Sequence, residues 1–125
     1  TSMGLKKAKS LLKVKEGLTF LDIIARQILY LRRQTQVDIP LLFMHSFNTR
    51  ADSLFYLEKY PELKLPHLPL DFMQNKFPRI KEKDLSPYQN IDAQKNWNPP
   101  GHGEIYLVLQ ISGVLDKLLQ AGIEY

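Results

Sequence analysis

A continuous apolar run is the feature that most narrows the fold of this chain. The run covers residues 39–44 and lies between polar residues on both sides. Its length and unbroken apolar character predict a strand that is buried on both faces, as in a parallel sheet. Such a strand needs helices packed against it, so the run points to a layered α/β domain.

An amphipathic helix is predicted directly before this strand, over residues 19–34. Thr19 can cap its N-terminus, and Asp22 stands three residues later in a capping-box arrangement. Apolar residues at spacings of four and three predict one buried face, formed by Phe20, Ile24, Ile28 and Leu31.

Helices and strands alternate along the rest of the chain. The pattern predicts a helix from Thr49 to about Lys59, with Asp52 completing a capping box. It then predicts a strand over 68–74 and a long loop over 75–100 with one short strand near 78–80. Two further helices are predicted over 103–110 and 112–120, and Gly122 is expected to cap the second. This order favours an α/β fold with a mostly parallel sheet. The few strands and the final residues, typical of an exit into another strand, predict an incomplete domain.

The net charge of +4 belongs to one end of the chain. Residues 1–16 hold five lysines against one glutamate, and the remaining residues carry twelve basic and twelve acidic side chains. A local cationic cluster favours an anionic partner, such as a phosphate ligand, a nucleic acid or a membrane surface. A solvated lysine-rich tail fits the charge pattern equally well.

The first ten residues combine small hydroxyl-bearing side chains with lysines. Backbone N–H groups of Thr1, Ser2, Met3 and Gly4 can approach phosphate oxygens while a lysine neutralises their charge. The spacing differs from that of the P-loop motif.

His102 stands between Gly101 and Gly103, after two prolines. The two glycines let a ligand come close to both the backbone and the imidazole. A helix beginning near Gly103 would favour an anion at its N-terminal N–H groups. We therefore interpret His102 as a functional residue.

Gln74 lies at the carboxyl end of the second predicted strand, where open α/β sheets bind ligands. Its amide offers a donor beside an acceptor, which matches the edge of a pyrimidine. From the residues alone, a loop-capping amide is the simpler interpretation. His45, after the first strand, is interpreted as structural, and Trp97 is expected to anchor the long loop.

Several protein classes are excluded or disfavoured. The chain has no cysteine, so it has neither a thiol nucleophile nor a cysteine metal site, and its histidine spacing fits no zinc site. No apolar run has the roughly 18 residues of a membrane span, and no secretory signal is visible. We expect a cytoplasmic protein that neither enters a membrane nor binds nucleic acid.

The chain resembles the UTP–glucose-1-phosphate uridylyltransferase family over essentially its whole length. The matching segments occur in the family's order: Thr1-Ser2-Met3-Gly4 with Lys6, Lys9 and Ser10; Thr19-Phe20-Leu21-Asp22; Ser46-Phe47-Asn48-Thr49; Gln74 with Pro78; and Pro99-Pro100-Gly101-His102-Gly103-Glu104-Ile105-Tyr106. The Gly-Gly-Leu-Gly that opens the family's nucleotide loop does not precede Thr1, and Lys6-Lys7-Ala8-Lys9 lacks the Gly-Pro common before the lysine.

The resemblance implies a three-layer, doubly wound nucleotidyltransferase domain, of which residues 1–125 would be an internal part that is inactive alone. In this family the phosphate of glucose 1-phosphate attacks the α-phosphorus of UTP, with Mg²⁺, to give UDP-glucose and pyrophosphate. The implied catalytic residues are Lys9 and His102, with His102 against a substrate phosphate. The implied nucleotide-binding residues are Thr1, Ser2, Met3, Gly4, Lys9, Gln74 and Gly101. The family's metal-binding aspartate would follow Tyr125, so no metal ligand is expected within the chain.

Two alternatives stay open at this point. A related pyrophosphorylase could act on another sugar 1-phosphate. A basic module could instead bind nucleic acid through the N-terminal lysines, in which case its affinity would fall steeply with salt.

Overall fold

The computed structural model describes residues 8–123, which form an α/β fold of four α-helices and three two-stranded sheets. The α/β class predicted from the sequence is therefore confirmed. The helices are α1 (Phe20–Thr35), α2 (Arg50–Leu57), α3 (Ile105–Ile111) and α4 (Val114–Gln120). The strands are β1 (Lys13–Lys15), β2 (Leu18–Thr19), β3 (Phe43–His45), β4 (Asp71–Met73), β5 (Phe77–Pro78) and β6 (Trp97–Asn98).

Helix α1 begins as the sequence predicts. The Thr19 N–H donates to Asp22 Oδ2 at 2.7 Å, and the Asp22 N–H donates to Thr19 Oγ1 at 3.2 Å. This reciprocal pair completes the capping box and satisfies two N–H groups that the first turn leaves without a helical acceptor.

The predicted buried face of α1 is wrong. Of its four members, Ile28 packs against the core as predicted, but Phe20, Ile24 and Leu31 are exposed, whereas Leu21 and Ala25 are buried. Two apolar stripes run along this helix at helical spacing, and the core takes the stripe that begins one residue later. Periodicity alone does not choose between them.

Strands β3 and β4 form a parallel pair with apolar side chains on both faces. The register pairs Phe43 with Asp71 and His45 with Met73. One face belongs to a core built on Leu21, Ala25, Leu57 and Leu63, against which Leu41, Phe43 and Leu70 pack. The other belongs to a core built on Phe72, Val108 and Val114, against which Leu42 and Met44 pack. Residues 41–44 are half-buried, and their alternation confirms apolar packing on both faces.

Both strands of the pair are shorter than the sequence predicts. The apolar runs at 39–44 and 68–74 contribute three paired residues each. The other two sheets are antiparallel, and β1 joins β2 through Glu16 and Gly17, both at positive φ. A tight turn of this kind favours glycine. None of the helices within residues 8–123 has the length and apolar character needed to span a membrane.

The predicted capping box of α2 is wrong. Thr49 precedes the helix, but its hydroxyl makes no cap hydrogen bond and instead lies 3.1 Å from Ser46 Oγ. The Ser46 carbonyl accepts the N–H groups of Thr49 and Arg50, both at 3.1 Å. A nearby hydroxyl therefore replaces the predicted partner Asp52.

Helix α4 ends at a glycine cap, as predicted. Gly122 has φ +72° and donates its N–H to the Leu119 carbonyl, and the Ile123 N–H reaches the Leu118 carbonyl, both at 3.0 Å. This pair of bonds is the Schellman motif, in which the left-handed residue is usually glycine.

Candidate functional site

The candidate site is built at the carboxyl ends of the parallel pair. The Gln74 N–H donates to the His45 carbonyl at 2.9 Å, which extends the β3–β4 ladder by one bond. Gln74 is half-buried. Its backbone is thus fixed by the sheet, at the edge where α/β folds bind their ligands.

Two hydrogen bonds bring the segment containing Gly101 and His102 to this edge. The Glu104 carboxylate accepts the Asn75 backbone N–H at 3.1 Å and the Asn75 side-chain amide at 2.7 Å. Asn75 directly follows Gln74, and Glu104 lies two residues after His102. The structure therefore joins two segments that the sequence separates by about a quarter of the chain.

His102 lies in an exposed 3₁₀ turn, His102–Glu104, that leads into α3. Helix α3 begins at Ile105, two residues later than predicted, and Glu104 occupies the N-cap position. The imidazole of His102 is exposed to solvent rather than buried in the core, as expected for a side chain that meets a ligand.

The glycine at position 101 has no structural reason within the described residues. Its φ of −76° is open to any residue, and a Cβ placed there would meet no atom within 4 Å. Close approach of a ligand, the reason inferred from the sequence, stays a prediction.

As a test of the nucleotide site predicted from the sequence, we expect Gly101→Ala in the protein at its full natural length to leave the fold unchanged and to weaken nucleotide binding. The added methyl group meets open space in the protein, so the melting temperature should change by less than about 2 °C. It would intrude on a ligand lying against the backbone, and the Kd for UTP should rise about tenfold. Calorimetric titration of UTP beside a melting curve checks both. Unchanged UTP affinity would remove Gly101 from the site.

Lys9 is the first residue of a 3₁₀ turn, Lys9–Leu11, which lies beside the core built on Leu21 and Ala25. Ala8 before it is buried, and Leu11 packs against the cluster of Leu21 and Ala25. The turn is anchored on both sides while the Lys9 side chain is exposed. The predicted nucleotide-binding residues Thr1, Ser2, Met3 and Gly4 lie outside the described residues.

A polar triad of Arg50, Asp71 and His45 supports this part of the sheet, with the His45 and Asp71 side chains buried and Arg50 exposed. Asp71 accepts hydrogen bonds from Arg50 Nε at 2.5 Å and from Arg50 Nη2 at 3.2 Å, and its Oδ2 lies 3.3 Å from His45 Nδ1. Burial raises the pKa of Asp71, but the hydrogen bonds from Arg50 and His45 outweigh burial and lower it below its ordinary value. Asp71 is therefore ionised at neutral pH. It holds His45, the residue whose backbone carbonyl accepts the Gln74 N–H.

His45 is buried, which confirms its structural interpretation. Its ring also stacks on Phe43, with centroids 5.8 Å apart. Sequence reasoning missed Arg50 and Asp71. They lie 21 residues apart, and no local pattern joins a helix start to a strand start.

A polar cleft of about 400 Å³ lies beside the carboxyl end of β3. It is lined by Ser46, Asn48, Thr49, Arg79, Trp97, Asn98 and Pro99. Trp97 pairs with Pro78 in the β5–β6 sheet and carries Lys76 Nζ 4.7 Å from its ring centroid. The long loop is thus anchored at Trp97, as the sequence indicates.

Residues 8–123 contain no group of three or more histidine, aspartate or glutamate side chains arranged to hold a metal ion. The carboxylates nearest the candidate site, Asp71 and Glu104, are engaged by Arg50, His45 and Asn75. The described residues therefore do not fit a magnesium site of their own.

Comparison with known proteins gives one consistent result. The family model of UTP–glucose-1-phosphate uridylyltransferase matches residues 1–125. A curated relative of that name from Saccharomyces cerevisiae is 43% identical over 129 residues, covering 99% of this chain and 25% of the relative. One from Solanum tuberosum is 41% identical and covers 100% of this chain and 26% of the relative.

Solved structures of similar proteins point to the same family. A UDP-glucose phosphorylase from Trypanosoma brucei superposes with a TM-score of 0.85 at 41% identity, over 96% of this chain and 26% of the other. A UDP-glucose pyrophosphorylase mutant from Leishmania major, in complex with UDP-glucose, gives 0.84 at 40% identity, over 97% and 26%. The chain spans about a quarter of the length of the curated relatives it matches.

Proposed function

The chain belongs to the UTP–glucose-1-phosphate uridylyltransferase family, and we propose that the complete protein makes UDP-glucose and pyrophosphate from UTP and glucose 1-phosphate. A phosphate oxygen of glucose 1-phosphate forms a bond to the α-phosphorus of UTP, and the bond from that phosphorus to the leaving pyrophosphate breaks. The match of the family model to every residue from 1 to 125 carries this proposal. By "complete protein" we mean the protein at its full natural length.

We assign each candidate residue a role in this reaction. Gln74 and Gly101 contact uracil, with the Gln74 amide facing the N–H and C=O of the base edge. His102 lies against a substrate phosphate, and Lys9 stabilises charge that develops on the phosphates during transfer. Thr1, Ser2, Met3 and Gly4 belong to the loop over the nucleotide phosphates.

The chemistry demands positioning and cationic charge rather than a covalent nucleophile. Phosphoryl transfer is accelerated chiefly by holding the reactants in line and stabilising charge on the phosphate oxygens. Lys9, on its anchored turn, supplies cationic charge. His102, on a turn joined to the sheet, supplies a positioned imidazole. When bound, Mg²⁺ would supply positive charge that neutralises the phosphates, and no residue of the described chain is assigned to it.

The finer architecture is also a proposal. We infer that β3 and β4 belong to a three-layer, doubly wound and mostly parallel sheet, and that residues 1–125 form part of one catalytic domain. The support is the packing of α1 and α2 on one face of the parallel pair and of α3 and α4 on the other.

Incubation of the complete protein with UTP, glucose 1-phosphate and Mg²⁺ tests the activity directly. We expect UDP-glucose and pyrophosphate to form in equal amounts, and the reverse reaction to proceed from UDP-glucose. Parallel reactions with other sugar 1-phosphates identify a pyrophosphorylase of different sugar preference. Failure to form any UDP-sugar would overturn the proposal.

Gln74→Ala should chiefly relax the preference for uracil. The variant loses the donor and acceptor that read the base edge, while the backbone bond to the His45 carbonyl persists. We expect the ratio of kcat/KM for UTP to that for CTP to fall about tenfold, which corresponds to the loss of about 1.4 kcal/mol, the net value of one hydrogen bond. Steady-state rates with both nucleotides measure it. An equal loss for both would show that Gln74 does not read the base.

A further inference from the structure

In the contact between Asn75 and Glu104, both oxygens of the Glu104 carboxylate accept hydrogen bonds from the same residue. The two Glu104 oxygens accept the two Asn75 donors at 3.1 and 2.7 Å. Glu104 is half-buried, whereas Asn75 is exposed. Two hydrogen bonds to an ionised acceptor fix orientation as well as distance.

These two hydrogen bonds, called the clasp below, lie at the base of a loop that has a short sheet of its own. Strands β5 and β6 pair within the loop, Phe77 with Asn98 and Pro78 with Trp97, although no residue from 75 to 100 is buried. The clasp adds a direct contact between Asn75, which follows Gln74, and the turn of His102. Beyond the clasp, the turn His102–Glu104 is tied to β4 by the packing of Ile105 on the core of Phe72 and Val108. Apolar packing sets the depth of α3, and hydrogen bonds define the placement of its first turn more narrowly.

We propose that Glu104 is a positioning residue for uracil recognition, acting through Asn75. The clasp holds the turn that carries Gly101 and His102 against the segment that carries Gln74. It thereby sets the spacing between the two groups assigned to the base, a spacing on which discrimination between pyrimidines depends. The inference rests on the proposed function, because it needs Gln74 and Gly101 as base contacts.

Glu104→Ala in the complete protein is the first test. Loss of the clasp should raise the KM for UTP about tenfold, the effect of one charge-assisted hydrogen bond, and lower the preference for UTP over CTP. The kcat at saturating substrate should fall by a smaller factor than the KM rises, because the assigned base contacts Gln74 and Gly101 flank the clasp on both sides, whereas the phosphate contact His102 only shares its turn. Glu82→Ala removes an exposed carboxylate of the long loop. It is the control and should leave all three values unchanged.

Asn75→Asp provides a second variant that does not alter the N-cap of α3. It sets a carboxylate against a carboxylate, so it should shift KM and base preference in the same direction as Glu104→Ala. The double variant Asn75→Asp/Glu104→Gln reverses the partners, since the glutamine amide can donate to the new aspartate and its oxygen can accept the backbone N–H. This pair should restore most of the UTP affinity and base preference, a rescue that general destabilisation does not produce.

The outcomes separate this inference from the proposed function. A wild type that makes UDP-glucose, with Glu104→Ala and Asn75→Asp behaving like Glu82→Ala, would overturn the positioning role and leave the proposed function intact. The positioning role would also be overturned if the double variant kept the raised KM and the lowered base preference expected of Asn75→Asp. A wild type that neither binds UTP nor makes UDP-glucose would overturn both.

Discussion

Replacing Lys9 by alanine should lower the kcat of the complete protein by about a hundredfold, the usual cost of removing one group that stabilises charge in a transition state. The KM for UTP should rise only several-fold. An ammonium group gains most where negative charge is concentrated, and charge on the transferred and leaving phosphates shifts as the bond to pyrophosphate breaks. An interaction that strengthens between ground state and transition state appears in kcat rather than in KM.

Steady-state rates with UTP and glucose 1-phosphate measure this split. Lys13→Ala is the matched control, because Lys13 is also an exposed lysine of the basic N-terminal segment and lies four residues further along. It should retain wild-type kcat if the effect belongs to one position rather than to the segment's total charge. Equal losses in Lys9→Ala and Lys13→Ala would assign the lysines to general attraction of an anion.

Salt dependence adds an independent criterion for Lys9. A contribution from overall charge is screened as ionic strength rises, since the Debye length falls from about 10 Å at 0.1 M to about 3 Å at 1 M. A contact at the reacting phosphates is screened much less. The ratio of wild-type to Lys9→Ala kcat should therefore change little between low and moderate salt.

The elements that the sequence predicts correctly depend on short-range patterns. The capping box of α1 joins Thr19 to Asp22, three residues apart, and the glycine end of α4 lies within one turn. Apolar packing of residues 41–44 on both faces follows from an unbroken apolar run. Each of these is fixed by local backbone geometry, so a reader of the sequence can find it.

What the sequence does not reveal is which distant groups meet. Asp22 of this capping box also contacts three side chains more than thirty residues away. They are Tyr56 of α2 and, after that helix, Lys59 and Tyr60. In the candidate site, Gln74, Gly101 and His102 could each be named, but the Asn75–Glu104 clasp between their segments could not. Pairings at this separation depend on how the helices pack, which no spacing in the chain encodes.

Asp22 is the residue whose removal should cost most stability. Its carboxylate is buried and accepts hydrogen bonds from the Tyr56 and Tyr60 hydroxyls at 2.6 and 2.7 Å, and Lys59 Nζ lies 2.5 Å away. The Lys59 ammonium also lies 3.6 Å from the centroid of the Tyr56 ring. One carboxylate thus joins the start of α1 to the end of α2 and the turn after it.

We expect Asp22→Ala to destabilise the packing of α1 on α2 by about 3 kcal/mol, because the Thr19 N–H and the hydroxyls of Tyr56 and Tyr60 lose a buried acceptor. Native-state hydrogen exchange in the complete protein measures this locally. Backbone amides of α1 and α2 should exchange roughly a hundredfold faster. Asp92→Ala removes an exposed carboxylate that lies 3.5 Å from Lys95 Nζ and accepts the Gln94 N–H at 3.1 Å, and it should cost less than about 1 kcal/mol. Similar losses in the two variants would contradict the central role of Asp22.

The pH dependence of Asp22 tests the same network by its sign. Burial raises the pKa of Asp22, but hydrogen bonds from Lys59, Tyr56, Thr19 and Tyr60 together hold it far below its ordinary value. A carboxyl with a depressed folded pKa contributes stability that is present above the unfolded pKa, about 3.9, and is lost as pH falls below it. The melting temperature of Asp22→Asn should therefore lie well below that of wild type at pH 7, and the gap should narrow below about pH 4. A gap that stays constant down to pH 2.5 would show that the charge of Asp22 contributes nothing, since the contribution of an ionised carboxyl must fade as the unfolded chain binds its proton.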